Sequence, residues 1–347
     1  MPDTGYTITN KTDIAISMKK KIILSGMRPT GKLHLGHLVG ALSNWVKMQE
    51  EYSCFFMVAD WHALMSEYEK PSNIRENSLE IVKDWISCGI DPAKSVIFIQ
   101  SMVPEHLELA MVFSILTPLG WLERCPTYKE QLRELKGRML ATYGFLGYPV
   151  LQAADIAVYN ADKVPVGEDQ VHHLELAREI IRRFHGLYRK KIFTEPKPML
   201  TRVSKLVGLD NRKMSKSYGN FISLSDDPSV VKKKVYSMYT DPKRVRADVP
   251  GNVEGNPVFT YHDLFNPDKA EVDDLKARYR KGAVGDVEVK EKLAAALNNY
   301  LDPIRKKRES LTDEAALQIV RDGSARAREA ASSTMRKVKA CLHQLED

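Results

Sequence analysis

The sequence predicts an α/β chain, a doubly wound parallel sheet followed by an all-helical C-terminal domain. Short apolar runs of strand length alternate with amphipathic helical stretches up to residue 218, and such alternation implies a parallel sheet covered on both faces. Past that point the strand signals fade and only helical spacing remains. The length, 347 residues, suits two domains at roughly 100–200 residues each, both able to bury a core.

Residues 1–19 read as a disordered leader. They have no apolar core for a signal peptide, and Asp3 and Asp13 with no arginine argue against a transit peptide. Lys21 to Gly26 is a short β-branched run ending in glycine, and the turn-rich Arg28-Pro-Thr-Gly31 follows it, so a strand feeds a loop. From Gly36 the apolar positions Leu38, Val39, Leu42, Trp45, Val46 and Met48 recur at helical spacing. Cys54 to Ala59 is a continuous apolar run and reads as a strand. Ile74 to Cys88 is helical, with Leu79, Val82 and Trp85 on one side, and Val96 to Ile99 is again a buried-type strand. After a helix-rich middle, Val164-Pro-Val166 gives a short strand ending in Gly167-Glu-Asp-Gln170, directly before the amphipathic run Val171 to Phe184. Ligands of doubly wound sheets bind at such strand ends. Asp227 to Tyr239, Glu271 to Arg280, Val287 to Leu301 and Leu311 to Leu345 read as helices.

Composition excludes several classes. No stretch approaches the ~18 consecutive apolar residues of a membrane helix. Cys54, Cys88, Cys125 and Cys341 lie far apart with no C-x-x-C pair, which suggests neither a zinc cluster nor a disulfide framework and fits a reducing cytoplasm. The formal charge of +7, from 52 Lys+Arg against 45 Asp+Glu, allows a polyanionic partner without requiring one. Local basic clusters at Lys232 to Lys234, at Lys243, Arg244 and Arg246, and at Arg305 to Arg308 read as solvated faces on composition alone.

Two segments carry chemistry. Thr30-Gly-Lys-Leu-His34-Leu-Gly36-His37 sits at a strand-to-helix junction. Gly36 lets a backbone approach closely, the helix N-terminus offers free N–H groups, and two imidazoles three residues apart can point at one anion. The segment lacks the Lys-Ser/Thr ending of a P-loop and the acidic residue of a dinucleotide fingerprint. Taken alone, two polar loop histidines explain it as well. Lys213-Met-Ser215-Lys216-Ser217 is bordered by Asn211-Arg212 and Tyr218-Gly219-Asn220. Its two lysines could swing onto phosphate oxygens and move away again, although an exposed basic loop reads the same.

HLGH followed by KMSKS resembles the two signature motifs of class I aminoacyl-tRNA synthetases. SGMRPTGKLHLGH, GYPVLQAADIAVYNADKVPVGEDQVHHLELAR and KMSKS together look like the bacterial tryptophanyl-tRNA synthetase family, with similarity from about Lys20 to near the C-terminus and densest before Tyr218. The resemblance implies a Rossmann-like catalytic domain over 20–222, ending in the KMSKS loop. It implies a helical tRNA anticodon-recognition domain over 223–347, whose last helix can pack back on the first domain. It also implies a cytoplasmic homodimer that takes L-tryptophan, ATP with Mg2+ and tRNA(Trp), with no membrane association. The basic clusters gain weight as tRNA phosphate contacts in this context.

The implied reaction is attack of the tryptophan carboxylate on the α-phosphate of ATP, expulsion of pyrophosphate, and transfer of the aminoacyl group to the 3′ end of the tRNA. The substrate supplies the nucleophile, so the enzyme positions groups and neutralises charge. By resemblance the catalytic residues are His34, His37, Lys213 and Lys216. ATP is expected against Arg28, Pro29, Thr30, Gly36, Gly167, Glu168, Asp169, Val203, Met214, Ser215 and Ser217 as well. A carboxylate of the Gly167–Glu168–Asp169 segment would accept the ribose hydroxyls, a segment that equally suits acids complementing a helix dipole.

For the amino acid, Tyr148, Gln152 and Asp155 are spaced to share one helix face. The resemblance assigns Asp155 the indole N–H, sets Tyr148, Gln152 and Gln170 around the amino acid's polar groups, and makes Leu24, His62, Val164 and Val166 the pocket walls. A planar slot with one acceptor would also suit tyrosine, so physics alone does not choose between them. The chain departs from the family in three ways. Where members often carry a second lysine after the stretch here read as Leu122-Glu-Arg124, this chain has Lys129, Gln131 and Lys136, which leaves the phosphate-reaching lysine open. Gln152 stands where some members have Met, and the cysteine spacing of members with an iron-sulfur cluster is missing, so no cluster and no zinc is predicted. The competing readings are a tyrosyl-tRNA synthetase, a nucleotidyltransferase with an H-x-G-H motif, and a non-catalytic RNA-binding paralogue; the last would show degraded motifs, whereas HLGH, GEDQ and KMSKS are intact.

Overall fold

A computed structural model describes residues 20–69, 71–126, 128, 142–200, 206–241, 244 and 246–343. The predicted leader, Val203, Lys129 and Lys136 lie outside the described residues, as do the side chains of Asp169 and Ser217.

Five strands, β1 (Ile22–Met27), β2 (Ser53–Val58), β3 (Ser95–Ile99), β4 (Lys163–Val166) and β5 (Lys197–Leu200), form one sheet in the order β3-β2-β1-β4-β5. Every pairing is parallel. Successive side chains of a strand point to opposite faces, and both faces are covered. Ile23, Cys54, Phe56, Val58 and Ile97 enter one core, whereas Leu24, Phe55, Met57 and Phe98 enter the other. This two-sided burial explains why β2 reads as a continuous apolar run rather than an alternating one. β5 was not predicted. Its residues Lys-Pro-Met-Leu are mostly exposed at the sheet edge, where proline is tolerated and no apolar pattern is needed.

The helix expected from Gly36 opens as Leu35–His37, widens into a π turn at Leu38–Leu42 and continues as α1 (Ser43–Glu51). α2 (Asp60–Glu67) follows β2, and α3 (Ile74–Ser87) covers the first core with Ile81, Val82 and Trp85. α4 (Glu105–Leu116), α5 (Tyr148–Val158) and α6 (Val171–Tyr188) cover the second.

Among the described residues after 222 there is no strand. Helices α7 (Pro228–Tyr236), α8 (Pro257–Phe265), α9 (Lys269–Arg280), α10 (Asp286–Glu309) and α11 (Asp313–Cys341) account for most of them. The last two carry acids in the first turn, Asp286 and Glu288 on α10 and Asp313 and Glu314 on α11, which complement the positive end of each helix. Thr312 caps α11 by accepting from Ala315 N–H at 3.2 Å.

Apolar packing does not stop at residue 222. Val231, Phe259, Leu293 and Leu297 join the core under α3, and α11 returns to the sheet with Ala327, Ala331, Met335 and Val338 in the core under α5. A Cβ at Gly323 of α11 would run into the Ile97 carbonyl, so glycine there permits the helix to lie against β3. The basic clusters are partly internal. Arg244 is 6% exposed, donates to the carbonyls of Val249 and Ala247 and stacks on Tyr279, while Arg305 is buried and Arg308 pairs with Asp84 and Glu80. These three are therefore unsuited to the nucleic-acid contacts suggested for their clusters, because their charges are already committed. Lys232 and Lys233 remain exposed. No helix among the described residues is long and apolar enough to cross a membrane.

Candidate active site

The strand order reverses at β1, whose neighbours β2 and β4 lead away in opposite directions. β1 pairs with β2 along six residues but with β4 only at Ile23 and Lys163. Beyond that single pair, toward the carboxyl ends, lies a cavity of about 430 Å³. This is the crevice in which doubly wound sheets bind ligands. All eight residues expected around an amino acid line it: Leu24, His62, Tyr148, Gln152, Asp155, Val164, Val166 and Gln170. Arg28 and Gly167 line it too, together with residues not foreseen from sequence, among them Met57, Met65, Phe145 and His173.

Tyr148, Gln152 and Asp155 share the cavity-facing side of α5, as their spacing requires. Asp155 is 1% exposed. Its Oδ2 lies 2.7 Å from His62 Nε2, and its Oδ1 accepts from Gln100 Nε2 at 2.8 Å and His106 Nδ1 at 2.6 Å. Burial alone would raise its pKa, but hydrogen bonds from His106 and His62 prevail and hold the carboxyl at about 2. Asp155 is therefore an ionised buried acceptor, not a surface acid of an exposed helix. Gln100 and His106 come from the end of β3 and the start of α4, and neither was singled out in the sequence. His173, on α6 just past the GEDQ segment, lies 3.2 Å by Nε2 from the Tyr148 hydroxyl and steadies the ring that faces the cavity.

The two signature segments meet. Lys216 Nζ donates to the Gly31 carbonyl at 2.9 Å across 185 positions of sequence. Gly31 has φ +110°, a conformation that glycine adopts without strain. At Gly36 a Cβ would lie 2.9 Å from Met214 Sδ and 3.0 Å from the His34 ring, so the absence of a side chain is what lets these groups converge. The rings of His34 and His37 are 3.8 Å apart, and His37 Nδ1 accepts the His34 backbone N–H at 3.2 Å, leaving the hydrogen of a neutral His37 on Nε2. Burial and the Lys216 charge lower His34 to about 4; burial, His34 and Lys216 lower His37 to about 3. Both imidazoles are neutral at pH 7. Lys216 itself is lowered by burial to about 8.

The KMSKS segment is held by Asn220, whose side chain accepts from Ser215 N–H at 2.9 Å and donates to the Lys213 carbonyl at 3.1 Å. Lys213 is exposed, and Lys216 opens a one-turn 3-10 helix to Tyr218. Pro29 is buried under the glycine loop, and Arg28 and Thr30 are exposed beside it. Glu168 to Gln170 form a 3-10 turn ahead of α6, with Glu168 exposed. From α10, Arg308 donates to Asp84 Oδ1 at 2.8 Å, and Asp84 Oδ2 accepts the Leu33 N–H at 3.2 Å, immediately before His34. Among the described residues no group of three or more His, Cys, Asp or Glu could hold a metal ion.

Fold and site together define an α/β enzyme class in which paired histidines and a lysine loop meet near an open, amino-acid-sized cleft at the carboxyl ends of a parallel sheet. Known proteins agree. The family described as tRNA synthetases class I (W and Y) matches residues 17–302. The Tryptophan--tRNA ligase of Thermotoga maritima is 48% identical over 324 residues, covering 92% of this chain and 98% of the relative. That of Borreliella burgdorferi is 48% identical over 328 residues, covering 93% of each. The crystal structure of tryptophanyl-tRNA synthetase from Campylobacter jejuni complexed with ADP and tryptophan superposes with a TM-score of 0.86 at 34% identity, over 93% of this chain and 99% of that one. The chain belongs to the class I tRNA synthetases of the tryptophan and tyrosine family.

Proposed function

We propose that the chain activates L-tryptophan with ATP to tryptophanyl-adenylate and pyrophosphate and then transfers the tryptophanyl group to the 3′ end of tRNA(Trp). It is an aminoacyl-tRNA ligase acting on tryptophan. The observation that carries this reading is the contact between the HLGH and KMSKS segments beside a cavity that contains a buried, ionised carboxylate.

The tryptophan carboxylate attacks the α-phosphorus, the P–O bond to the β-phosphate breaks, and its electron pair leaves with pyrophosphate. His34 and His37, being neutral, act in this reading as hydrogen-bond donors to phosphate oxygens rather than as cations. That arrangement avoids crowding two extra charges beside Lys216. Lys213 and Lys216 take the charge of the departing pyrophosphate, with Mg2+ arriving on the nucleotide as part of the substrate. Arg28, Pro29, Thr30, Gly36, Met214, Ser215 and Ser217 surround the triphosphate, and the Gly167–Glu168–Asp169 turn takes the ribose. Asp155 accepts the indole N–H, Tyr148, Gln152 and Gln170 hold the amino acid's polar groups, and Leu24, His62, Val164 and Val166 close on the ring. An acceptor site of a buried carboxylate left empty is costly, so amino acids without an N–H or O–H at that position are rejected.

Residues 223–347 serve anticodon recognition in this reading, with exposed Lys232 and Lys233 free of the internal roles that occupy Arg244, Arg305 and Arg308. A cytoplasmic homodimer completes it. Met111, Ile115, Leu119 and Tyr143, each more than half exposed, offer an apolar face that a second copy would cover.

Amino-acid-dependent ATP–pyrophosphate exchange tests the reading, run with tryptophan, tyrosine, phenylalanine and no amino acid. Exchange with tryptophan alone is expected. Exchange with tyrosine would keep the reaction and overturn the pocket assignment; silence throughout would overturn the activity.

A further inference from the structure

We infer that His106, braced from behind by Tyr159, is a positioning residue for substrate selection: it saturates one oxygen of Asp155 and leaves the other to take a single N–H donor from the amino acid. The inference rests on the reading of Asp155 as the indole acceptor.

His106 does not border the cavity and is fully buried. Its Nδ1 is 2.6 Å from Asp155 Oδ1 and its Nε2 is 2.8 Å from the Tyr159 hydroxyl. An ionised carboxylate only accepts, so Nδ1 must carry a hydrogen toward it. Nε2 lies against the Tyr159 hydroxyl, which can donate or accept, and burial keeps that phenol protonated. A hydrogen-bonded chain thus runs from Tyr159 through His106 to Asp155, holding both ring nitrogens and fixing the ring's orientation from the far side. The imidazole cannot turn away easily, because it stacks on Phe98 at 5.9 Å between centroids, while Tyr159 stacks on Phe55 at 4.6 Å.

The count of acceptor sites gives the consequence. Oδ1 receives both His106 and Gln100, which fills its two lone pairs. Among the described residues Oδ2 receives only His62, a residue that itself lines the cavity. One acceptor site therefore remains, on the oxygen shared with a cavity-wall residue. Without the His106 donor the carboxylate gains a second vacant site and the freedom to rotate, and a single N–H is no longer what it demands. His106 acts through Asp155 and touches no substrate atom.

The test measures kcat/KM in ATP–pyrophosphate exchange for tryptophan and for its benzothiophene analogue, in which sulfur replaces the indole N–H. In the unmodified protein tryptophan should be favoured by roughly 100-fold, since the analogue leaves the remaining acceptor site of a buried carboxylate empty. His106→Asn, whose amide nitrogen can occupy the position of Nδ1, should keep most of that preference. His106→Phe, which retains the ring but has no donor, should reduce it below about tenfold through KM for tryptophan, with KM for ATP unchanged. Equal loss with both substrates in His106→Phe, the preference intact, would reduce His106 to a packing role and overturn the inference. Should that variant fail to fold, Tyr159→Phe decides: a several-fold smaller preference supports the hydrogen-bonded chain, and an unchanged one overturns it. If the unmodified protein does not distinguish the two amino acids, the Asp155 reading itself fails, an outcome separate from loss of the His106 role alone.

Discussion

At one end of the site Asp155 is 1% exposed and meets three donors within 2.8 Å; at the other, Lys213 is exposed and Lys216 rests on a single backbone carbonyl. The proposed indole end is built from helices α2, α4 and α5 and the ends of β1, β3 and β4. The proposed phosphate end joins the glycine loop and the helical turn after it to the KMSKS segment, which they meet at Gly31 and Gly36. A group that must discriminate between neutral rings gains from a fixed, buried acceptor, because every misfit then leaves one acceptor site of a buried charge empty. Groups that neutralise a leaving pyrophosphate must engage and later release it, which suits cations on a loop. In the proposed reading, fixed contacts therefore sit where selection occurs, and exposed groups where charge moves.

Substitutions that disturb the first end should produce the largest effect. Asp155→Asn replaces an acceptor by an amide in a nest of three donors, and one of its sites becomes a donor facing donors. Loss of kcat/KM for tryptophan by roughly 100- to 1000-fold is expected, in line with removal of a buried charged partner, with KM for ATP within about twofold. Steady-state exchange kinetics with each substrate varied in turn would measure this, and unaltered tryptophan kinetics would break the contrast between the two ends.

At the second end Lys216→Ala should lower kcat by roughly 100-fold while leaving KM for tryptophan nearly unchanged, as expected for a contact made mainly to the developing charge. The free lysine is lowered to about 8 by burial, so it is charged below that pH and neutral above it. Exchange measured as kcat/KM for ATP should therefore fall as pH rises through about 8, and Lys216→Arg, which keeps its charge, should remove that limb of the profile. A limb that persists in the arginine variant would assign the titration elsewhere.

The same contrast governs how much of the molecule was legible in its sequence. Loop chemistry is local in sequence: HLGH and KMSKS are contiguous, and glycine marks where the backbone needs freedom. Strands β2 and β3 were legible because burial on both faces leaves continuous apolar runs, and β1 and β4 because short β-branched runs end at glycine. The donors around Asp155 were less so: His62 was expected only as a pocket wall, and Gln100 and His106 were not singled out, because they come from separate elements and a buried polar residue looks like any surface one until the chain folds. A signal was nonetheless present. Gln100 follows directly on a predicted buried strand, where parallel sheets place ligand-facing groups, and Tyr159 lies four residues after Asp155, on the same side of the helix end. β5 left no such trace, since an exposed edge strand of Lys-Pro-Met-Leu needs no apolar pattern.

Between the two ends stands Gly36, where the smallest of these effects is expected. A methyl group at this position would come within 2.9 Å of Met214 Sδ and 3.0 Å of the His34 ring, closer than either contact allows. Thioether and imidazole can both give way, so Gly36→Ala should fold, and alanine suits a helix better than glycine does. What the methyl displaces is the fit between the motifs: Met214 would be pushed back and the lysine loop with it. A loss of kcat of roughly tenfold is expected, for a shift of a few tenths of an ångström in groups whose alignment sets the rate. KM for tryptophan should stay constant, because no wall of the cavity moves. An equal loss in tryptophan binding would mean that the loop contact and the indole pocket respond as one body, and the division between a fixed end and a moving end would have to be withdrawn.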